Sequence, residues 1–249
     1  MMGLRNLYKV FTESRRASRG RATLAVVGDS GRTGEIADLL GAQRTMRKAE
    51  VILIVSDGKV SLSGKAVEEP GDVPLPPPGR VDDLVRRVVT ALEDRYLVPL
   101  AKAYPVFRRA ACEEIIRKNA RENAVIGALP IPGADMPVMT ANQARMVLHL
   151  AAAHDVDLSF QRARELLGVL AAGFGLRALT RQVVKVVPVG GWAAAAAIGY
   201  AGTVAMGRST VLYFERGGQK VGEKEMEEIR RRATEEAKSF VSRVRRRRD

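Results

Sequence analysis

The sequence predicts an α+β fold, mainly α, in which a small β-α-β module precedes a helical domain with a small-residue hairpin and a C-terminal amphipathic helix. Three observations carry that prediction. Two apolar runs of strand length, TLAVVG (23–28) and VILIVS (51–56), flank a short helical pattern near the start. From residue 81 onward apolar residues recur three and four apart. Aromatics make up only 5% of the 249 residues although 46% are hydrophobic, a mixture that suits close-packed helices better than a sandwich of large side chains.

The elements follow in order. Residues 1–20 form a basic segment with Arg5, Lys9, Arg15, Arg16 and Arg19. Residues 21–67 form the α/β module, in which Glu35 to Leu40 reads as a helix between two buried parallel strands. The stretch EEPGDVPLPPPG (68–79) carries five prolines, so residues 68–80 read as a semi-rigid linker. Leu84, Val88, Ala91 and Leu92 then give one apolar helix face. A second helix over 106–128 repeats Phe107, Ala111 and Ile115 four apart. Glu113 with Arg117, and Glu114 with Lys118, read as pairs on its exposed side.

Pro130, Pro132 and Gly133 end that helix, and Asp135 caps a new one running through Val138, Val147 and Leu150. After the break at HDVDLS, Leu158 or Ser159 starts a helix with Leu166, Leu167 and Leu170. A second Pro-Gly break at 187–192 precedes AAAAAIGYAGTVAMG, giving a helical domain over 81–217. Residues 218–249 close the chain as a basic amphipathic helix with Met226, Ile229, Ala233, Phe240 and Val244 along one side.

Between Lys185 and Arg208 there are 22 residues without charge. As a continuous helix they span about 33 Å, enough for a hydrocarbon core of about 30 Å. Pro188, Gly190 and Gly191 shorten the helix, and alanine and glycine contribute little transfer energy. The spacing of Ala195 and Gly199, and of Ala193, Ala197 and Ala201, lets helix backbones approach closely, in a membrane or in a protein core. Both readings of residues 186–207 stand, a membrane-entering hairpin and a buried one.

The formal charge is +13, and Arg243, Arg245, Arg246, Arg247 and Arg248 gather at the end. Such ends suit the anionic cytoplasmic face of a membrane, or nucleic acid, or a solvated tail. Cys112 is the only cysteine, which excludes an internal disulfide and a cysteine-rich zinc site. No apolar run of about 7 to 15 residues follows the basic start within reach of a cleavage site, so no secretory leader is expected.

The loop after the first strand invites comparison with a phosphate cradle, G-x-x-x-x-G-K-[ST]. Gly28, Gly31, Arg32 and Thr33 are the positions that would meet a nucleotide phosphate. The second glycine, the lysine and the hydroxyl residue are all missing from their places, and Glu35 sets a negative charge where the helix end attracts anions. The register predicts a structural turn. Asp57-Gly58, closing the second strand, reads as a hairpin-type or loop turn. His149 and His154 lack Cys or Glu at ligand spacing. No catalytic residue, metal or cofactor is expected.

The run ENAVIGALPIPGADMPVMTANQARMVLHLAAAHDVDL holds Pro130, Pro132, Gly133, Ala134 and Asp135, then Gln143 and Met146. Pro188 and Gly191 follow, and then GTVAMGRSTVLYFERG with Gly207, Arg208, Tyr213 and Phe214. Over residues 81–217 these marks resemble a bacterial family, domain of unknown function 697. That domain occurs alone, in YcjF-type inner-membrane proteins, and behind Era-like GTPase domains. The resemblance implies membrane association of the helical region and a scaffold or regulatory role beside a GTPase-like module, with the front of this chain as a degenerate GTPase remnant. It implies no reaction.

The function expected is therefore a non-catalytic, membrane-associated binding or scaffold protein on the cytoplasmic side of the inner membrane, peripheral or integral. Its partners would be anionic lipid, met by the basic ends, and a protein such as a GTPase. The alternatives are a divergent GTP-binding protein and a nucleic-acid-binding protein using the arginine-rich tail, with a cytoplasmic location. Sparse aromatics and the absence of a reading motif weigh against nucleic acid.

Overall fold

Apolar alternation and helical periodicity sort the chain into two kinds of element in the computed structural model, which describes residues 4–17, 20, 22–128, 135–156, 159–161, 163 and 191–246. The expected class holds: 65% helix and 12% strand make the chain mainly α with one small sheet. The chain packs as two compact units. One comprises residues 17–114 and 152–155, the other residues 1–16, 115–151 and 156–249.

The first unit is built on β1 (Leu24–Gly28), α2 (Thr33–Leu40), β2 (Val51–Ser56), β3 (Lys59–Ser63) and β4 (Gly71–Pro74). β1 and β2 pair in parallel from Leu24↔Val51 to Gly28↔Val55, with α2 as the crossover. This is the β-α-β unit read from the sequence. β2 then turns through Asp57-Gly58 into the antiparallel β3, a hairpin as expected. β3 pairs with β4, giving a sheet in the order β1-β2-β3-β4.

The proline-rich stretch therefore does not act purely as a linker, because β4 lies inside it. A strand at the sheet edge tolerates proline where no ladder hydrogen bond is required of its nitrogen, and Pro74 is the last residue of the edge strand. Leu24, Val26, Ile36, Leu40, Val51, Leu53 and Val55 are buried on this core.

α3 (Asp82–Ala91) and α4 (Asp94–Ala103) follow. Leu84, Val88, Ala91 and Leu92 are buried, as their spacing predicts. These helices fall in the same compact unit as the sheet, so the units divide at Glu114/Ile115, well past the expected boundary at 80/81. α5 (Pro105–Ala128) is the helix predicted over 106–128. Phe107, Ala111 and Ile115 are buried along it. Glu114, which the pairing pattern places on the exposed side, is buried at 5% exposure, because a pattern that fixes the apolar face cannot show a second covered flank.

The second unit holds α1 (Leu4–Ala17), the end of α5, α6 (Asp135–Ala153), α7 (Trp192–Glu215) and α8 (Glu223–Arg246). α1 occupies the basic N-terminal segment, for which the sequence predicts no element. Its Val10 and Phe11 pack with Ala144, Leu148 and Ala163, and the Phe160 ring meets Tyr8 and Phe11 edge-on at 5.4 and 5.5 Å. α6 and α8 lie where the sequence predicts them.

α7 and α8 run antiparallel. Tyr200 stacks on Phe240, Arg208 meets Glu236 and Arg216 meets Glu225, in reversed order along the two helices. Ile229, Ala233, Ala237 and Val241 form the buried stripe of α8. The hairpin observed is thus α7 with α8. The partner expected around Leu166, Leu167 and Leu170 lies outside the described residues.

The transmembrane-helix expectation is not supported: among the described residues no helix is long and apolar enough to cross a membrane. α7 is diluted by alanine and glycine and reaches a charge at Arg208.

Candidate functional site

Two places bring the sequence-derived candidates together. At the head of α2, Gly28, Gly31, Arg32 and Thr33 form one loop. Gly28 has φ of +142°, and a Cβ there would overlap the carbonyl oxygen of Val55, so only glycine lets β1 lie this close to β2 at its end. The loop itself is tied back onto the proline-rich stretch. Arg32 Nε donates to Glu35 Oε2 at 2.6 Å and Arg32 Nη1 to the Pro76 carbonyl at 3.0 Å. The Gly79 N–H donates to Glu35 Oε1 at 2.8 Å.

The Arg32 guanidinium, then the Gly79 amide, hold the Glu35 carboxyl below its ordinary range by hydrogen-bonding its anion. A helix N-terminus favours negative charge, and here Glu35 in the first turn supplies it. A phosphate at this point would have to displace Glu35 from Arg32 and from Gly79. Thr33 Oγ1 is buried and has no hydrogen-bond partner among the described residues.

The second place lies where α5, α6 and α7 meet. α7 is small along the side it turns to α5. A Cβ on Gly199 would stand 2.6 Å from the Asn123 carbonyl oxygen, and one on Gly127 2.9 Å from that of Ala195. At that distance of approach the helices bury a layer of uncharged polar groups. Asn123 Nδ2 donates to Thr203 Oγ1 at 2.8 Å, and Thr203 Oγ1 donates to the Gly199 carbonyl at 2.8 Å. Asn142 Nδ2 donates to Asn123 Oδ1 at 3.0 Å and to the Asn119 carbonyl at 3.3 Å. Gln143 Nε2 reaches Thr203 Oγ1 at 3.5 Å.

Asn123 and Thr203 are fully buried and Asn142 nearly so. Within a low-dielectric core such a layer sets the register of three helices, because slipping any one of them strands a donor or acceptor.

The remaining motif residues take simpler places. Asp135 is the first residue of α6, and Gly191 holds the N-cap position of α7. Arg208 donates from both Nη atoms to the Glu236 carboxylate, at 2.7 and 3.3 Å, and so fastens α7 to α8. Pro130, Pro132, Gly133 and Pro188 lie outside the described residues. Two turns before Arg208 on the same helix, the Tyr200 phenol is pushed above its ordinary value by burial and then by Glu236, against Arg121, Arg117 and Arg243.

A family model described as a domain of unknown function, DUF697, matches residues 99–239. The chain belongs to this family. No curated protein and no solved structure matches it.

The DUF697 region contains the whole amide layer, the close approaches between helices and the Arg208–Glu236 pair, while the glycine loop lies outside it. Gln143 and Arg208 stand out in the sequence as motif positions. Asn123, Asn142 and Thr203 do not, because each alone is an ordinary helix residue. The signal that could find them is the pairing of amides on two helices with a hydroxyl four residues after a glycine on a third.

Proposed function

We propose that the protein is a non-catalytic binding or scaffold protein that docks peripherally on an anionic membrane surface, at the cytoplasmic side of the inner membrane. The observation that supports this is the unequal pairing of charge along α8. Through its first part, cations meet carboxylates: Arg216 with Glu225, Arg230 with Glu227, Arg231 and Arg232 with Glu228, Lys238 with Glu235, and Arg208 with Glu236. Glu228 is drawn down to about 2 by Arg231 and Arg232.

Beyond Glu236 the chain holds no acidic residue until Asp249, while Arg243, Arg245 and Arg246 are exposed and Arg247 and Arg248 follow in the sequence. At about 1 kcal/mol for each basic residue near an anionic leaflet, these five amount to about 5 kcal/mol of attraction. The family resemblance adds a GTPase-like module as the protein partner. The GTP-binding alternative is weakened by the hold that Arg32 and Gly79 have on Glu35.

Fractionation of cells tests the reading. The expected result is protein in the membrane pellet at low salt and its release by high salt, which shortens electrostatic reach to about 3 Å at 1 M. A wholly soluble distribution at low salt overturns membrane docking, and a pellet that resists carbonate overturns a peripheral one.

A further inference from the structure

Resting on that reading, we propose that the surface meeting anionic phospholipid headgroups is a cationic notch built from three helices, with Arg117 and Arg121 of α5 and Arg243 of α8 flanking Tyr200 of α7. The placement follows from the packing. α5 and α7 touch at Asn123 against Gly199 and at Ile116 against Gly207, so they run antiparallel and Arg121 stands level with Tyr200. Around α5, Ile116 and Ala120 are buried toward α7, while Asn123 turns toward Asn142 of α6. At 100° per residue, Arg117 and Arg121 lie on the opposite flank from Asn123, and both are exposed.

On α8, the Phe240 ring stacks on Tyr200 with centroids 4.8 Å apart and planes 18° apart. Arg243 follows Phe240 by three residues and Glu236 precedes it by four, so the three share one stripe. The Glu236 carboxylate, the acid nearest this notch on that stripe, is engaged by Arg208. All three arginines act electrostatically on the Tyr200 phenol, which agrees with their convergence on it.

Arg117 and Arg121 are carried by a 24-residue helix packed on α6 and α7 through Ile116, Ala120 and Asn123, and Arg243 by a helix fastened to α7. Cations held on packed helices meet a planar anionic surface together, without the ordering cost of a flexible segment. Arg246 follows Arg243 by three residues, less than one turn of α8 and on the same side, so the positive face of the notch continues onto Arg246.

The test uses the full chain and sedimentation with phosphatidylcholine vesicles, with and without phosphatidylserine. The expected result is binding that requires phosphatidylserine and falls about fivefold for each arginine removed, roughly 25-fold for Arg117→Gln with Arg121→Gln. Arg47→Gln with Arg80→Gln removes the same charge from exposed positions of the other unit and is expected to change little; circular dichroism confirms that both double variants keep their helix content. Wild-type partition by the Arg117→Gln/Arg121→Gln protein, with binding lost on removal of residues 243–249, would overturn the notch and leave the tail as the docking element. Equal losses from the two double variants would also overturn it, in favour of net charge. Binding to single-stranded RNA but to neither vesicle would assign the surface to nucleic acid. If the wild-type chain binds no phosphatidylserine vesicle, the membrane reading above fails and the notch with it.

Discussion

At the head of α2, ions hold the chain. Arg32 and Glu35, still a quarter to a third open to solvent, clasp the backbone of residues 76–79. Between α5, α6 and α7 the same task falls to amides and one hydroxyl, closed off from water by glycines that bring the helices together. The first arrangement is screened by salt and responds to pH, and each of its bonds is replaceable by water at modest cost. The second cannot be rehydrated without parting the helices, so its loss is felt in full. Charge near solvent makes an adjustable fastening, whereas uncharged polar groups in a tight core make a register.

The sharpest way to break the comparison is to remove a glycine on the ionic side. Gly28→Ala places a methyl group on the Val55 carbonyl at a φ that L residues avoid, and destabilisation of about 3 kcal/mol or more is expected, read as loss of the cooperative thermal transition. That loop would then owe its shape to backbone contact far more than to its ion pair. A near-neutral result would mean that β1 can part from β2 at its end.

Next in size is the amide layer. Asn123→Ala leaves the Asn142 amide only the Asn119 carbonyl to donate to, removes the donor to Thr203 and opens a small cavity, for an expected loss of about 2–3 kcal/mol in urea unfolding. Combined with Thr203→Val in a double-mutant cycle, a coupling of about 1 kcal/mol is expected. Strict additivity would show that the two side chains do not act as one layer.

The smallest effect belongs to Glu35. Its folded carboxyl titrates below the ordinary value, so the stabilisation it gives is complete above about pH 4.3, the unfolded value, and is lost as pH falls through the lowered one. Thermal melts should show a gap between wild type and Glu35→Gln at neutral pH that closes in acid. A gap independent of pH would remove Glu35 from the clasp.

How much of the molecule is legible in its sequence depends on how many residues each feature needs. The helix of Phe107, Ala111 and Ile115, the charge-rich C-terminal helix and the parallel strands rest on local periodicity, and all three are present. β4 is hidden because prolines dominate its stretch, and only a pairing partner 11 residues away, Ser61, shows that Asp72 lies in a strand. α1 is hidden because its arginines mask a short apolar stripe, Val10 and Phe11, whose partners stand far along the chain. The amide layer joins residues separated by 19 and by 80 positions, and no window of local pattern contains them together. The Arg208 motif position is legible as a residue, yet its meaning requires Glu236 on another helix.

The boundary between the compact units falls inside α5, and the family match begins at Pro99, inside α4. The matched segment therefore coincides with neither compact unit. An excised fragment starting at residue 99 would open halfway through a helix, stripped of the sheet and α3 that share a compact unit with its first residues.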